Sequence, residues 1–166
     1  MRKNLKVSNK VLNLIFGMTA FIILAGDQFS KYFVNSRPQD IFPVEIIPNF
    51  IYLTRITNTG AAFGLFQGWI NVFIIISIIA VILIIVLKIK MDIKSVIYNI
   101  ALGFILGGAL GNLIDRVIHR EVTDFIHVVF WAVFNVADSF IVIGFGIMIL
   151  IIIRSFFKKG AAKKIE

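Results

Sequence analysis

The chain contains no cysteine among its 166 residues. Disulfides, thiolate metal sites, cysteine nucleophiles and thiol lipidation are excluded together. Charge is also scarce: Asp, Glu, Lys and Arg make up 16% of the chain against 59% hydrophobic residues, and the mean hydropathy is +0.95. That balance is too apolar for a water-soluble domain of this length and reads as an integral membrane protein. Several catalytic signatures are missing too, with no G-x-S-x-G, no H-E-x-x-H and no P-loop lysine motif. The two histidines, His119 and His127, flank Asp124 but form no helix-spaced pair, which argues against a zinc site.

Uninterrupted apolar sequence is what the chain has in quantity. Residues 11–29, 69–87, 95–113 and 135–153 form four such stretches. Each is long enough, as a helix of roughly 30 Å, to cross one hydrocarbon core. The expectation is a single membrane domain over residues 1–166, a bundle of four transmembrane helices. The formal net charge of +8 is unevenly distributed. If the spans alternate direction, 12 basic and 2 acidic residues fall on one side, in clusters around Lys10, Lys88 and Arg154, and 5 basic and 7 acidic on the other. The excess of Lys and Arg places both termini in the cytoplasm, with residues 154–166 as a basic tail. Its partners on that side are anionic membrane lipids. Nucleic acid is not expected, since no basic patch is interleaved with exposed aromatics in a soluble module. The opening "MRKNLKVSNK" has the grammar of a leader, and "ILAG" at residues 23–26 resembles the start of a lipoprotein cleavage box. Asp27 stands where the cysteine of such a box would be, so the first run reads as a retained helix.

On the outer side, "FIYLTRIT" followed by a glycine-rich turn predicts a small antiparallel sheet over residues 40–66. Residues 114–134 read as a short interfacial loop, with Trp69 and Trp131 as anchors. Acids and bases at span ends need an explanation, because a buried carboxylate costs on the order of 3 kcal/mol in a bilayer. Asp27 and Lys31 are an i, i+4 acid-before-base pair. Gly108, Gly111, Asn112 and Asp115 share one helix face, and Gly107 with Gly111 makes a small-xxx-small step, so Asn112 and Asp115 point into the bundle. Arg116 pairs with one of the acids or reaches the headgroups. Asn135 as N-cap puts Asp138 at N3, where it caps the helix and meets the positive end of its dipole. Only 14 residues separate Asp138 from Asp124, a connection short enough for the two carboxylates to meet. Taken singly, each acid has a structural explanation. Together they would share a proton, so that the ionised one activates water and the protonated one donates to a carbonyl, with no metal or cofactor.

Five blocks in order, "DQFSKY", "NTGAAFG", "GGALGNLIDR", "EVTDFI" and "FNVADS", resemble the bacterial lipoprotein signal peptidases, or signal peptidase II, over about residues 27–144. The resemblance implies an aspartic endopeptidase of the bacterial inner membrane. Its substrates are diacylglyceryl-modified prolipoproteins, cut immediately before the lipidated cysteine near the extracytoplasmic face. It implies catalytic Asp124 and Asp138, supported by Asp27, Lys31, Asn58, Gly60, Asn112, Arg116 and Asn135, without a cofactor; a monomer is expected, although the small-xxx-small step serves packing within one bundle as well as between chains. Many family members carry a proline shortly before the F-N-x-A-D block; Ala132 and Val133 stand here, and a looser turn over residues 127–134 is expected. The rival readings are a small ion-coupled transporter or channel subunit, with Asp27, Asp115, Asp124 and Asp138 as a cation path, and a noncatalytic assembly protein. Against the transporter, all four acids gather at one membrane face and none lies at mid-depth.

Overall fold

The computed structural model describes residues 7–91 and 93–162, without the side chains of Ala62 and of residues 158–162. Arg2, Lys3, Lys6, Asp92, Lys163, Lys164 and Glu166, which enter the charge argument, lie outside the described residues, as do the side chains of Lys158 and Lys159. Four helices long and apolar enough to span a bilayer are present: α1 (Asn9–Asn35), α2 (Ile70–Lys90), α3 (Val96–Ile118) and α4 (Val136–Ala162). They exceed the expected spans because polar residues at their ends continue the hydrogen-bonded ladder beyond the hydrophobic run. Ser8 begins α1 by accepting from Val11 N at 3.4 Å, and Ser95 begins α3 by accepting from Tyr98 N at 3.4 Å. The segment after Arg154 continues α4 as far as Ala162 and so is largely helical.

The helix α3 is the hub, packing against α1, α2 and α4. Its residues Tyr98, Ala101, Leu102 and Ile105 are buried, whereas Phe21 of α1, Ile79 of α2 and Val142 of α4 face outward. The outward faces suit lipid, and α3 supplies the small residues that let its neighbours close in. A Cβ on Gly107 would lie 2.5 Å from the Ala20 carbonyl of α1, and one on Gly108 would lie 2.5 Å from the Ala137 carbonyl of α4. Glycine is therefore required on both flanks of α3 at nearly one level.

The sheet has three antiparallel strands in the order β1 (Val44–Ile47), β2 (Ile51–Asn58), β3 (Val122–Val128). The third strand corrects the expectation for residues 114–134. They are not a loop: α3 runs on to Ile118, and β3 pairs Tyr52 with His127 and Asn58 with Val122. Local sequence does not reveal this, because Val122, Thr123, Asp124 and Phe125 are all buried and show no alternation. A register shift between Leu53 and Ile56 bends β2 where it approaches the helices.

The turn from β3 into α4 is also more firmly held than expected without its proline. Phe134 exchanges backbone hydrogen bonds with Ile126, at 2.8 and 3.0 Å, and its carbonyl also accepts from Phe125 N at 3.0 Å. Val129 N reaches Phe50 O at 3.0 Å and Trp131 N reaches Val128 O at 3.0 Å. Hydrogen bonds take over the restriction a proline ring would supply.

Candidate active site

The first turn of α4 organises the site. Asn135 is its N-cap: the side-chain oxygen accepts from Asp138 N at 3.0 Å, and Asp138 Oδ2 accepts from Asn135 N at 3.3 Å. This reciprocal capping box fixes Asp138 at N3, as the spacing predicts. The Asn135 amide points the other way and donates to Asp124 Oδ1 at 2.7 Å and to Asn112 Oδ1 at 3.1 Å. One fully buried asparagine thus ties both carboxylates to a common support.

Each carboxylate has a second donor. Asn112 Nδ2 donates to Asp138 Oδ1 at 2.7 Å, and Asn58 Nδ2 donates to Asp124 Oδ2 at 2.9 Å. Asn58 reaches Asp124 because it pairs with Val122, two residues before Asp124, so that strand alternation puts both side chains on one face. Its own oxygen accepts from Gly60 N at 2.9 Å, closing a tight turn. A Cβ on Gly60 would run into the Leu65 carbonyl and lie 3.0 Å from Gln67 N, so the turn leaves room only for glycine.

Behind this layer lies a buried charge cluster. Lys31 Nζ pairs with Asp27 Oδ2 at 2.7 Å and with Asp115 Oδ2 at 2.7 Å, and donates to Asn112 Oδ1 at 3.0 Å. The buried ammonium is thus paired with two carboxylates and hydrogen-bonded to an amide oxygen, as burial demands. Asp27 Oδ1 accepts from Ala137 N at 2.8 Å, so an acid from α1 caps the opening turn of α4 from outside it. The helices come close enough for this because residue 111 is glycine; a Cβ there would strike the Asp27 carboxylate. The expected Asp27–Lys31 pair is therefore one edge of a network that reaches Asp138 through Asn112.

Gln28 is a site residue that the sequence reasoning did not single out. Its amide donates to Asp115 Oδ1 at 2.9 Å and to the Gly111 carbonyl at 3.2 Å, joining α1 to α3. The available signal was its place between Asp27 and the next turn of the same helix. Thr123 also escaped notice; it accepts from Asn35 Nδ2 at 2.9 Å and pins β3 to the end of α1.

The network opens on a cavity of about 520 Å³, to which Asp124, Asp138, Asn58, Gly60, Asn112 and Arg116 contribute. Asp27, Lys31 and Asn135 lie behind its wall. Arg116 does not form the expected pair with one of the acids. Its Nη1 lies 3.5 Å from Ser77 Oγ and from the Asn112 carbonyl, and its guanidinium is 5.6 Å from the Phe73 ring centroid. No ion pair of Arg116 occurs among the described residues, and its charge is left facing the cavity. The remaining wall is apolar, drawn largely from Val133, Phe134, Ile141 and Val142. Trp131 lines the cavity as well, edge-on to Phe63 at 5.9 Å, rather than serving only as an anchor. His119 caps the end of α3 and His127 lies against Tyr52; neither lines the cavity.

Burial raises the Asp124 carboxyl from 3.8 to about 6. The hydrogen bond from Asn58 pulls it back, the Asp138 charge pushes it up, and Asn135 and Lys31 lower it further. A carboxyl that keeps its proton into the mildly acidic range, beside a second one at a helix N-terminus, is the arrangement acid–base hydrolysis needs.

Four membrane-length helices, a small sheet at one end and buried carboxylates facing an apolar cavity define an integral membrane enzyme. Residues 19–154 match the family described as signal peptidase (SPase) II. The lipoprotein signal peptidases of Bacillus velezensis and Bacillus subtilis are each 37% identical over 155 residues, 91% of this chain and 99% of theirs. That of Moorella thermoacetica is 40% identical over 137 residues, 81% of this chain and 89% of its own. Two solved structures of a bacterial membrane enzyme obtained by the in meso method are also similar. One has a TM-score of 0.81 at 32% identity, covering 93% of this chain and 94% of the other; the second has 0.75 at 33%, covering 89% and 95%. The chain belongs to the signal peptidase II family and is an aspartic protease of the bacterial membrane.

Proposed function

We propose that this protein removes signal peptides from diacylglyceryl-modified prolipoproteins, cutting immediately before the lipidated cysteine, with Asp124 and Asp138 as its catalytic pair. The observation that carries the reading is that these two acids, from different elements, share Asn135 and face one cavity whose wall, beyond Asn58, Asn112, Arg116 and Ser139, is apolar. Asp138, at the positive end of α4, takes the role of the ionised member, and Asp124, whose burial favours its neutral form, holds the proton. A water between them attacks the scissile carbonyl carbon and gives its proton to Asp138. Asp124 donates to the carbonyl oxygen as the tetrahedral carbon forms. The proton on Asp138 then passes to the leaving nitrogen, the C–N bond breaks, and Asp124 recovers its proton from the collapsing diol. Every step uses protons already at the site, so no metal or cofactor is required. Arg116 and Asn58 are placed to orient the substrate backbone, and Asn112, Asn135, Asp27 and Lys31 hold the acids in position.

The apolar wall and the outward-facing Val142 suit a substrate that arrives from the bilayer with its acyl chains attached. Both termini lie in the cytoplasm and the catalytic end at the extracytoplasmic face, following the Lys and Arg distribution. The active unit in this reading is the monomer. The test is cleavage of a diacylglyceryl-modified prolipoprotein beside its unlipidated form, with chelator present and the product mass determined. The expected result is one cut, before the modified cysteine, in the lipidated form only and unaffected by chelator. Equal cleavage of both forms, or loss with chelator, would overturn the proposal.

A further inference from the structure

A second cavity lies at the end of the bundle opposite the carboxylates. It has a volume of about 410 Å³ and is walled by the first turns of α1, the last turn of α2 and the connection into α3. That volume is in the range of roughly 300–1,000 Å³ that holds small ligands. The cleft exists because α1 and α2 each pack on α3 and scarcely meet each other. Its lining has two chemically distinct parts. Leu12, Phe16, Ile85 and Ile89 make an apolar trough along the helices. Asn9, Asn13 and Lys88 supply the polar groups, and among the described residues no carboxylate lines the cavity.

Lys88 is placed rather than trailing. It is half-buried, and its ammonium sits 5.7 Å from the centroid of the Phe16 ring across the cleft. A cation–π contact of this kind holds the charge over the trough instead of releasing it to water. The first turn of α1 contains no acid, and in the sequence of that turn and of the α2–α3 connection Lys10, Lys88, Lys90 and Lys94 outnumber the single acid, Asp92, so the net charge here is positive. One cation and two amides above an apolar slot between membrane helices are complementary to a single anionic headgroup with an acyl chain below it.

We propose that this cleft binds one anionic phospholipid, its phosphate at Lys88 with Asn9 and Asn13 and an acyl chain along Leu12, Phe16, Ile85 and Ile89. The site is separate from the proteolytic one, and its test does not depend on cleavage. The bound lipid fills the gap between α1 and α2 and steadies the end of α1 remote from Asp27 and Lys31.

The full chain, purified in detergent, is incubated with equal amounts of phosphatidylglycerol and phosphatidylcholine, and retained lipid is read by native mass spectrometry. One phosphatidylglycerol per chain is expected, in preference to phosphatidylcholine. Lys88→Gln should lower that retention about fivefold or more, whereas Lys90→Gln, the same charge change outside the lining, should leave it within twofold. Ile85→Trp, which narrows the trough without changing charge, should also lower retention. Excess glycerol phosphate should not displace the lipid. Equal loss from both lysine variants would mean diffuse attraction rather than a site, and equal retention of the two lipids, or displacement by glycerol phosphate, would equally overturn the proposal.

Discussion

At the scale of single residues, the unusual feature is that asparagines do the connecting. Asn58, Asn112 and Asn135 each carry a donor and an acceptor on one rigid amide, so each can hold a carboxylate while anchoring itself to backbone or to Lys31. The pH dependence follows from the most perturbed of these acids. With its folded value raised from 3.8 to about 6, Asp124 favours the protonated folded state. The associated stability is fully present below pH 3.8 and is lost as pH rises through about 6, by on the order of 3 kcal/mol over that window. Activity that needs the Asp124 proton should fall along an alkaline limb near pH 6 in the kcat/KM profile. Removing the Asn58 hydrogen bond takes away a lowering influence, so Asn58→Leu should move that limb to higher pH while reducing the maximum rate. A limb that stays in place would show that Asp124 does not govern it.

The residue scale is also where the sequence is most informative. The Asn135–Asp138 spacing already describes the capping box, and the short connection already brings Asp124 near. Asp27 and Lys31 are legible as a pair, but the third and fourth members of their network come from α3, and no local pattern gives their distance. Gln28 illustrates the limit: a lone glutamine beside an acid has no signature until α3 is packed against it.

At the scale of elements, α3 decides the geometry. Its glycines set how near α1 and α4 approach, and Asn112, Asp115 and Arg116 ride on the same helix. Gly108→Ala would push a methyl group against the Ala137 carbonyl, one residue from Asp138 and in the turn that Asp27 caps. Such overpacking costs about 1–3 kcal/mol. The variant should unfold at lower temperature and lose activity beyond what its stability accounts for. Gly17 has nothing within 4 Å of where a Cβ would stand, so Gly17→Ala should be neutral or gain up to about 1 kcal/mol from helix propensity. Thermal unfolding of the two variants in detergent, with turnover measured alongside, checks both. The helices were legible from apolar length, whereas β3 was not. Its β-branched residues were visible, but the pairing of Asn58 with Val122 closes more than 60 residues of chain and is dictated by where α3 ends.

At the scale of the whole molecule, the Lys31 cluster joins α1, α3 and, through Asp27, the first turn of α4. Removing the cation alone leaves two buried acids without their partner, which typically costs about 3–5 kcal/mol. Lys31→Met should therefore be strongly destabilised, and adding Asp115→Asn should recover part of the loss; no recovery would show that the cluster does not act as a charge network. The absence of cysteine makes the orientation directly testable. Phe130 is 98% exposed on the turn beside the catalytic end, and Lys90 lies at the opposite end. In intact cells stripped of any outer barrier, Phe130→Cys should react with a membrane-impermeant maleimide, and Lys90→Cys only after the membrane is opened. The reverse pattern would invert the topology.

The most direct test of the account is turnover of a lipidated prolipoprotein by Asp124→Asn and Asp138→Asn, each first shown by thermal unfolding to be folded. Either substitution should lower the rate at least a thousandfold in a folded protein, because neither acid can complete the proton cycle alone. A folded variant of either residue that retains a tenth or more of the wild-type rate would contradict it.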